Sequence, residues 1–139
     1  MNNKELRLSN IIGVSWLEDK TPLQGIHCIV ESISSLTIEA SVFSCGDKIN
    51  NKTQYKLKEC VGIPLTEDWL INLGFKCFPW GWVKKENEDI SVLINFHNKP
   101  QGICAWLEVG NGLRANFDYV HQLQNLYFAL TGVELVLNN

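Results

Sequence analysis

A chain of 139 residues with 45% hydrophobic and 19% charged residues has the balance of an ordinary globular protein, with enough apolar surface for one core or two small ones. No apolar run approaches the ~18 residues needed to span a bilayer, and residues 1–7 lack the apolar stretch of a secretory leader, so a cytoplasmic location is expected. A net charge of −3 excludes the strongly basic character of a protein that binds nucleic acid mainly through phosphates.

In chain order, residues 11–16, 25–33 and 36–43 are β-branched and strand-like, with alternation clearest in the last. Turn chemistry separates them at 18–22 and 34–35. Residues 55–58 read as a final strand, and 47–53 as the exposed loop before it. Short strands so closely spaced in about sixty residues predict a small SH3-like β-barrel over residues 1–62, where closing the sheet compensates for short strands. Lys48, Lys52, Lys56 and Lys58 form the one basic concentration of the chain, read first as a solvated loop and strand edge.

Pro64 marks the expected start of a second module, residues 63–139. Thr66 is positioned to cap a helix, Glu67 and Asp68 suit its first turn, and Leu65 can staple onto Leu70. Gly74 stops that helix, with Phe75 placed for an apolar contact back to Leu70; Trp69, Leu70 and Leu73 form its buried side. Strand-like runs follow at 76–83, 90–96, 102–109 and 113–117, joined by short turn-rich connectors that predict an antiparallel meander. An amphipathic helix then runs to Gly132, with Asp118 as its expected cap. At about 100° per residue its apolar face holds Tyr119, Val120, Leu123, Leu126, Tyr127 and Leu130. His121, Gln122, Gln124 and Asn125 fall outside it. Residues 133–137 read as an edge strand. The whole is α+β: a small SH3-like barrel followed by a helix-on-sheet module.

Residues 63–75 and 119–132, together with 6–10 and 21–23, resemble a family of short bacterial and phage proteins with no assigned activity, marked by a Pro-Leu-Thr-Glu helix start and a Tyr-Val-His-Gln-Leu-Gln helix. Ser9 departs from the resemblance where the opening motif has glycine, and Val133 where the closing motif has glutamate. The resemblance implies a bacterial host cell and a phage or mobile-element origin.

Candidate chemistry is sparse. The three histidines, His27, His97 and His121, and the five cysteines show no C-x-x-C or H-x-x-x-H pairing of the kind that holds a metal. An odd number of cysteines without that spacing predicts reduced, mostly buried thiols. The carboxylate groups at 67–68 and 86–89 are accounted for by helix capping and by a solvated connector, and no phosphate-binding or nucleophile-elbow motif is present. No enzyme activity, cofactor or metal is therefore expected.

Aromatic residues remain. In residues 78–82, Trp80 and Trp82 are expected on one strand face around Gly81, with Pro79 arguing for an edge. Phe128 breaks the terminal helix pattern, projecting beside His121 and Asn125. Either set can simply cover the fold. As anchors, Trp80, Trp82, His121, Asn125 and Phe128 would form a partner-binding surface, since tryptophan is enriched where binding energy concentrates. With the acidic surplus of residues 63–139, eight carboxylates against five basic side chains, this suggests a non-enzymatic protein that occupies a host protein. A defence nuclease such as a CRISPR effector or its RNA complex is the concrete version, through charge complementarity. Two alternatives stand beside it: a nucleic-acid-associated module using the 48–58 lysines with Trp16 or Tyr55 stacking, and a small cysteine enzyme.

Overall fold

The computed structural model describes residues 5–15, 27–44, 47–86, 91–99, 102–109 and 113–138, and the side chains of these except at 43–44, 47–51, 97–99, 102–109 and 113–114. The architecture is α+β, with antiparallel sheet curled into a half-barrel and a C-terminal helix. Residues up to 63 make one compact unit and residues 64–138 a second. No helix among the described residues is long and apolar enough to cross a membrane.

In the first unit, strands β1 (Ile11–Val14), β2 (His27–Ile33), β3 (Thr37–Ser44), β4 (Asp47–Lys56) and β5 (Cys60–Val61) form one antiparallel sheet in the order β4-β3-β2-β1-β5. Alternation sets its inner face. Ile12 lies opposite Cys28, Val30 opposite Ala40 and Ile38 opposite Tyr55, and all six are buried in one cluster with Leu6, Val14, Leu57 and Cys60. The register shift at Val30/Ser32, where two residues of β2 span one of β3, is a bulge, which bends a strand and increases its twist, and a further irregularity lies at Ser41/Phe43.

Residues 47–53, expected as a loop, are strand. Their Asn- and Lys-rich composition disfavours a strand in isolation, but β4 is the edge of the sheet. There Lys52, Gln54 and Lys56 need only face water while, among the described side chains of the strand, Tyr55 packs inward, so pairing with β3 overrides local preference. The final strand is accordingly not 55–58 but β5. It follows a single 3-10 turn, Leu57–Glu59, where the Glu59 carboxylate accepts the Lys56 backbone N–H at 3.0 Å.

Ser9 has φ +67. It sits in a turn closed by Asn10 N–H to the Arg7 carbonyl at 3.3 Å and by Arg7 N–H to Asn10 Oδ1 at 2.8 Å. A positive φ at the third turn residue is the conformation glycine adopts without steric cost, and the resembled motif has glycine there. Ser9→Gly should therefore stabilise the first unit by about 0.5–1 kcal/mol, the relief of left-handed strain exceeding the added chain entropy. Chemical denaturation of the two proteins checks this.

The second unit opens with α1 (Glu67–Asn72). Thr66 is its N-cap residue, extended at φ −126, but its side chain makes no capping bond. The helix stop is complete. Gly74 at φ +83 donates to the Ile71 carbonyl at 2.9 Å, and Phe75 donates to the Leu70 carbonyl at 2.9 Å. These are the two bonds of a Schellman motif, with Leu70, Leu73 and Phe75 all buried and Trp69 half-buried.

Five antiparallel strands follow as a meander, in the order β10-β9-β8-β7-β6: β6 (Lys76–Phe78), β7 (Gly81–Lys85), β8 (Ser91–Lys99), β9 (Gly102–Val109) and β10 (Leu113–Phe117). Helix α2 (Val120–Thr131) comes next and ends at Gly132 in a left-handed cap. Its N-cap is Tyr119, not Asp118. The end is closed from within the helix, because Gln122 Oε1 accepts the N–H groups of Asp118 at 2.9 Å and Tyr119 at 3.3 Å.

The buried stripe of α2 is Val120, His121, Leu123, Gln124 and Tyr127, turned toward Gln124 from the face the apolar residues alone imply. Leu126 and Leu130 are only half-buried and Tyr119 is exposed. The reason is polar. Buried Gln124 donates Nε2–H to the Leu135 carbonyl at 2.8 Å, which satisfies a group hydrophobicity would place in water. Residues 133–138 form no strand; they run as an irregular tail with Leu135 buried and Asn138 N–H bonded to the Asn72 carbonyl at 2.8 Å.

Candidate functional site: a lysine-lined cleft beside an aromatic stack

Residues 76–83, read as one strand, are a hairpin. Phe78 pairs with Gly81, so Pro79 and Trp80 form a two-residue turn between β6 and β7. Proline fixes φ at the first turn position. Gly81, at φ +136, would as any other residue place a Cβ 2.9 Å from the Ile94 carbonyl and 2.5 Å from Asn95 Oδ1, so only glycine lets β7 lie this close to β8.

The turn separates the two tryptophans that were expected on one face. Trp80 is thrown out at 63% exposure, while Trp82 enters the sheet at 8%, opposite Cys77 and the fully buried Ile94. Trp82 is thus core. Trp80 instead stacks on Phe78, ring centres 5.1 Å apart and planes 15° off parallel; both rings are exposed.

The other expected anchors are not brought to this place. His121 is buried at 2%, stacked on Tyr119 at 5.8 Å, and so cannot present itself to a partner. Asn125 and Phe128 are half-buried. With the stripe turned toward Gln124, Phe128 falls on its margin and its place in the pattern is that of a packing residue.

Beside the aromatic stack lies a cleft of about 310 Å³ lined by Gly74, Lys76, Phe78, Val83, Lys84 and Lys85. Register explains the company. Lys76 lies opposite Val83 and Phe78 opposite Gly81, so Lys76, Phe78, Val83 and Lys85 share one sheet face, with Trp82 and Lys84 on the other. Half-buried Lys84 donates Nζ–H to the Leu73 carbonyl at 2.7 Å, capping the end of α1, and lies 6.0 Å from the Tyr127 ring centre. Burial pushes its pKa down, against the opposing pull of the Glu86 carboxylate. The Tyr127 hydroxyl donates to Glu86, and burial followed by that carboxylate pushes the phenol well above its ordinary range. Lys76 and Lys85 stand on the cleft's own sheet face with Lys84 only at its border, and no acidic residue is among the six that line it, so the two exposed ammonium groups can attract anionic groups.

Reading the proline as a turn would have revealed this face. With Pro79 and Trp80 at the tip, Lys76 and Lys85 become near neighbours instead of residues nine apart.

Two of the described thiols, Cys28 and Cys60, are not activated as nucleophiles. Burial raises the pKa of Cys28 and pushes Cys60 to about 11, so both are protonated at neutral pH. Cys77 is free and exposed on β6; Cys45 and the side chain of Cys104 lie outside the described residues. Under native conditions a disulfide-exchange reagent should therefore lose one rapid equivalent in Cys77→Ser and none in Cys28→Ser or Cys60→Ser. Denatured protein should titrate five thiols. A rapid phase surviving Cys77→Ser unchanged would contradict the exposure of that residue.

Among the described residues, no group of three His, Cys, Asp or Glu side chains is arranged to hold a metal ion. No protein-family profile, curated protein or solved structure matches the chain.

Proposed function

We propose that this chain is a non-enzymatic binding protein, of phage or mobile-element type, that works in the cytoplasm of a bacterial host by occupying a surface of a host protein. The observation that carries the reading is the Phe78–Trp80 stack. Two large rings held outside a fold, one on β6 and one on a two-residue turn whose backbone Pro79 restricts, have less freedom to lose on binding and supply the aromatic area typical of energetic anchors. Inhibition of a bacterial defence nuclease, such as a CRISPR effector or its RNA complex, is the most concrete form. It draws on the resemblance and on the acidic surplus of residues 63–139.

Affinity capture from host or phage-infected cells tests it. Trp80→Ala should leave the melting temperature unchanged, because the ring is mostly in water, and reduce partner recovery more than tenfold. Capture by Trp80→Ala equal to that of the native chain would remove the stack from the interface and the reading with it.

The first unit is inferred to be an SH3-like barrel. Supporting this are the strand order β5-β1-β2-β3-β4 and the single 3-10 turn before the last strand. A nucleic-acid role for that unit draws less support. Tyr55 is buried rather than open for stacking, and Lys52 pairs with Glu31 at 2.5 Å; Trp16 and the side chain of Lys48 lie outside the described residues.

A further inference from the structure

We propose that the cleft takes an extended, acidic segment of the protein partner, with alternate carboxylates on Lys76 and Lys85 and an apolar side chain against the Phe78–Trp80 stack. This rests on the reading of that stack as a protein contact, and adds the chemistry of what the contact recognises.

The lining itself carries charge of one sign, and the nearby Glu86 carboxylate is taken up by the Tyr127 hydroxyl. Three of the six residues lining the cleft are lysines and none is acidic, within a unit whose balance is otherwise acidic. Lys84 is committed to the Leu73 carbonyl, leaving Lys76 and Lys85 as the exposed pair.

Their spacing selects an extended ligand. Lys76 lies opposite Val83, and Lys85 is two residues further along β7, so the two are diagonal neighbours about 7–8 Å apart at the backbone. Side chains on one side of an extended peptide repeat every two residues, at about 6.6–6.8 Å. A Glu-x-Glu segment therefore presents its carboxylates at matching intervals, and its next residue on that side reaches the aromatic stack. β6 is also the terminal strand of its sheet, which gives an incoming peptide main chain a strand to run beside. A nucleic acid gains nothing from that edge, because its backbone has no strand-type hydrogen bonds to offer it.

The probe is a dye-labelled eight-residue peptide with glutamate at every second position, followed by fluorescence polarisation at low salt. Binding is expected to the native chain, weakening more than tenfold in Lys76→Gln/Lys85→Gln and less than twofold in Lys56→Gln/Lys58→Gln, whose lysines are exposed on the first unit. Absence of binding would overturn the proposal. So would equal losses in the two double variants, which signal diffuse charge attraction, or tighter binding of a thymidine oligonucleotide of the same charge. Capture from cells separates this failure from failure of the functional reading. If Lys76→Gln/Lys85→Gln recovers the partner in full while Trp80→Ala does not, the acidic segment is wrong and the aromatic contact stands; full recovery by both removes the contact itself.

Discussion

Gly74→Val is expected to destabilise the second unit by about 3 kcal/mol or more, from two causes that separate experimentally. The first is conformational. At φ +83 a β-branched residue is forced into the left-handed region, where even unbranched side chains lose about 1–2 kcal/mol. The second is steric. A Cβ at this position lies 2.4 Å from Asn138 Nδ2 and 3.0 Å from Lys84 Nζ; the exposed Asn138 side chain can swing away at little cost, but displacing Lys84 breaks its bond to the Leu73 carbonyl. Gly132 provides the control, since it has a similar φ of +72 but nothing within 4 Å of the added Cβ. Gly132→Ala should cost only the conformational part, about 1–2 kcal/mol, and Gly74→Ala clearly more. Equal losses for the two alanine variants, measured by denaturant unfolding, would show that the crowding at Gly74 is not real.

Leu123→Ala should cost about 3–5 kcal/mol and Phe128→Ala about 1–2 kcal/mol, although phenylalanine is the larger side chain. Leu123 is fully buried in the stripe of α2, so its removal leaves a cavity lined on every side. Phe128 is half-buried on the stripe's margin, where water fills much of what is vacated. Thermal melts of the two variants side by side check the order. A loss at Phe128 as large as that at Leu123 would mean its ring is fully enclosed and the helix is rotated further than described.

Local rules carried a large part of the fold. The stop at Gly74, the first-turn acids of α1, the meander, and the helix ending at Gly132 all follow from residues acting on near neighbours. What failed to show did so for physical reasons. β4 is made of poor strand formers and exists because β3 offers it a partner. The hairpin at Phe78 was hidden because Phe78, Trp80 and Trp82 alternate like a strand, and the geometry of Pro79 and Gly81 outweighs that alternation. The stripe of α2 was misplaced because Gln124 is buried by a hydrogen bond to a carbonyl eleven residues away, which no count of apolar residues registers. Of the candidate anchors only Trp80 stands well out in solvent. The lysines beside it carried no signal until the turn brought them together.

The irregular tail has a consequence for how the second unit moves. From α2, Gln124 holds the tail at Leu135; the tail holds α1 through Asn138 and Asn72; the end of α1 is held by Lys84, which lies over Tyr127, back in α2. These links form a closed circuit, and a circuit has no loose end from which to fray. Opening any one link frees the groups on both sides, so excursions that would otherwise occur separately at the tail, the helix stop and β7 merge into one costlier event. Because Lys84 is a link in that circuit and also borders the cleft, the β7 backbone beneath a ligand is tied to the rest of the unit, and what binding has left to order is the exposed side chains of Lys76 and Lys85.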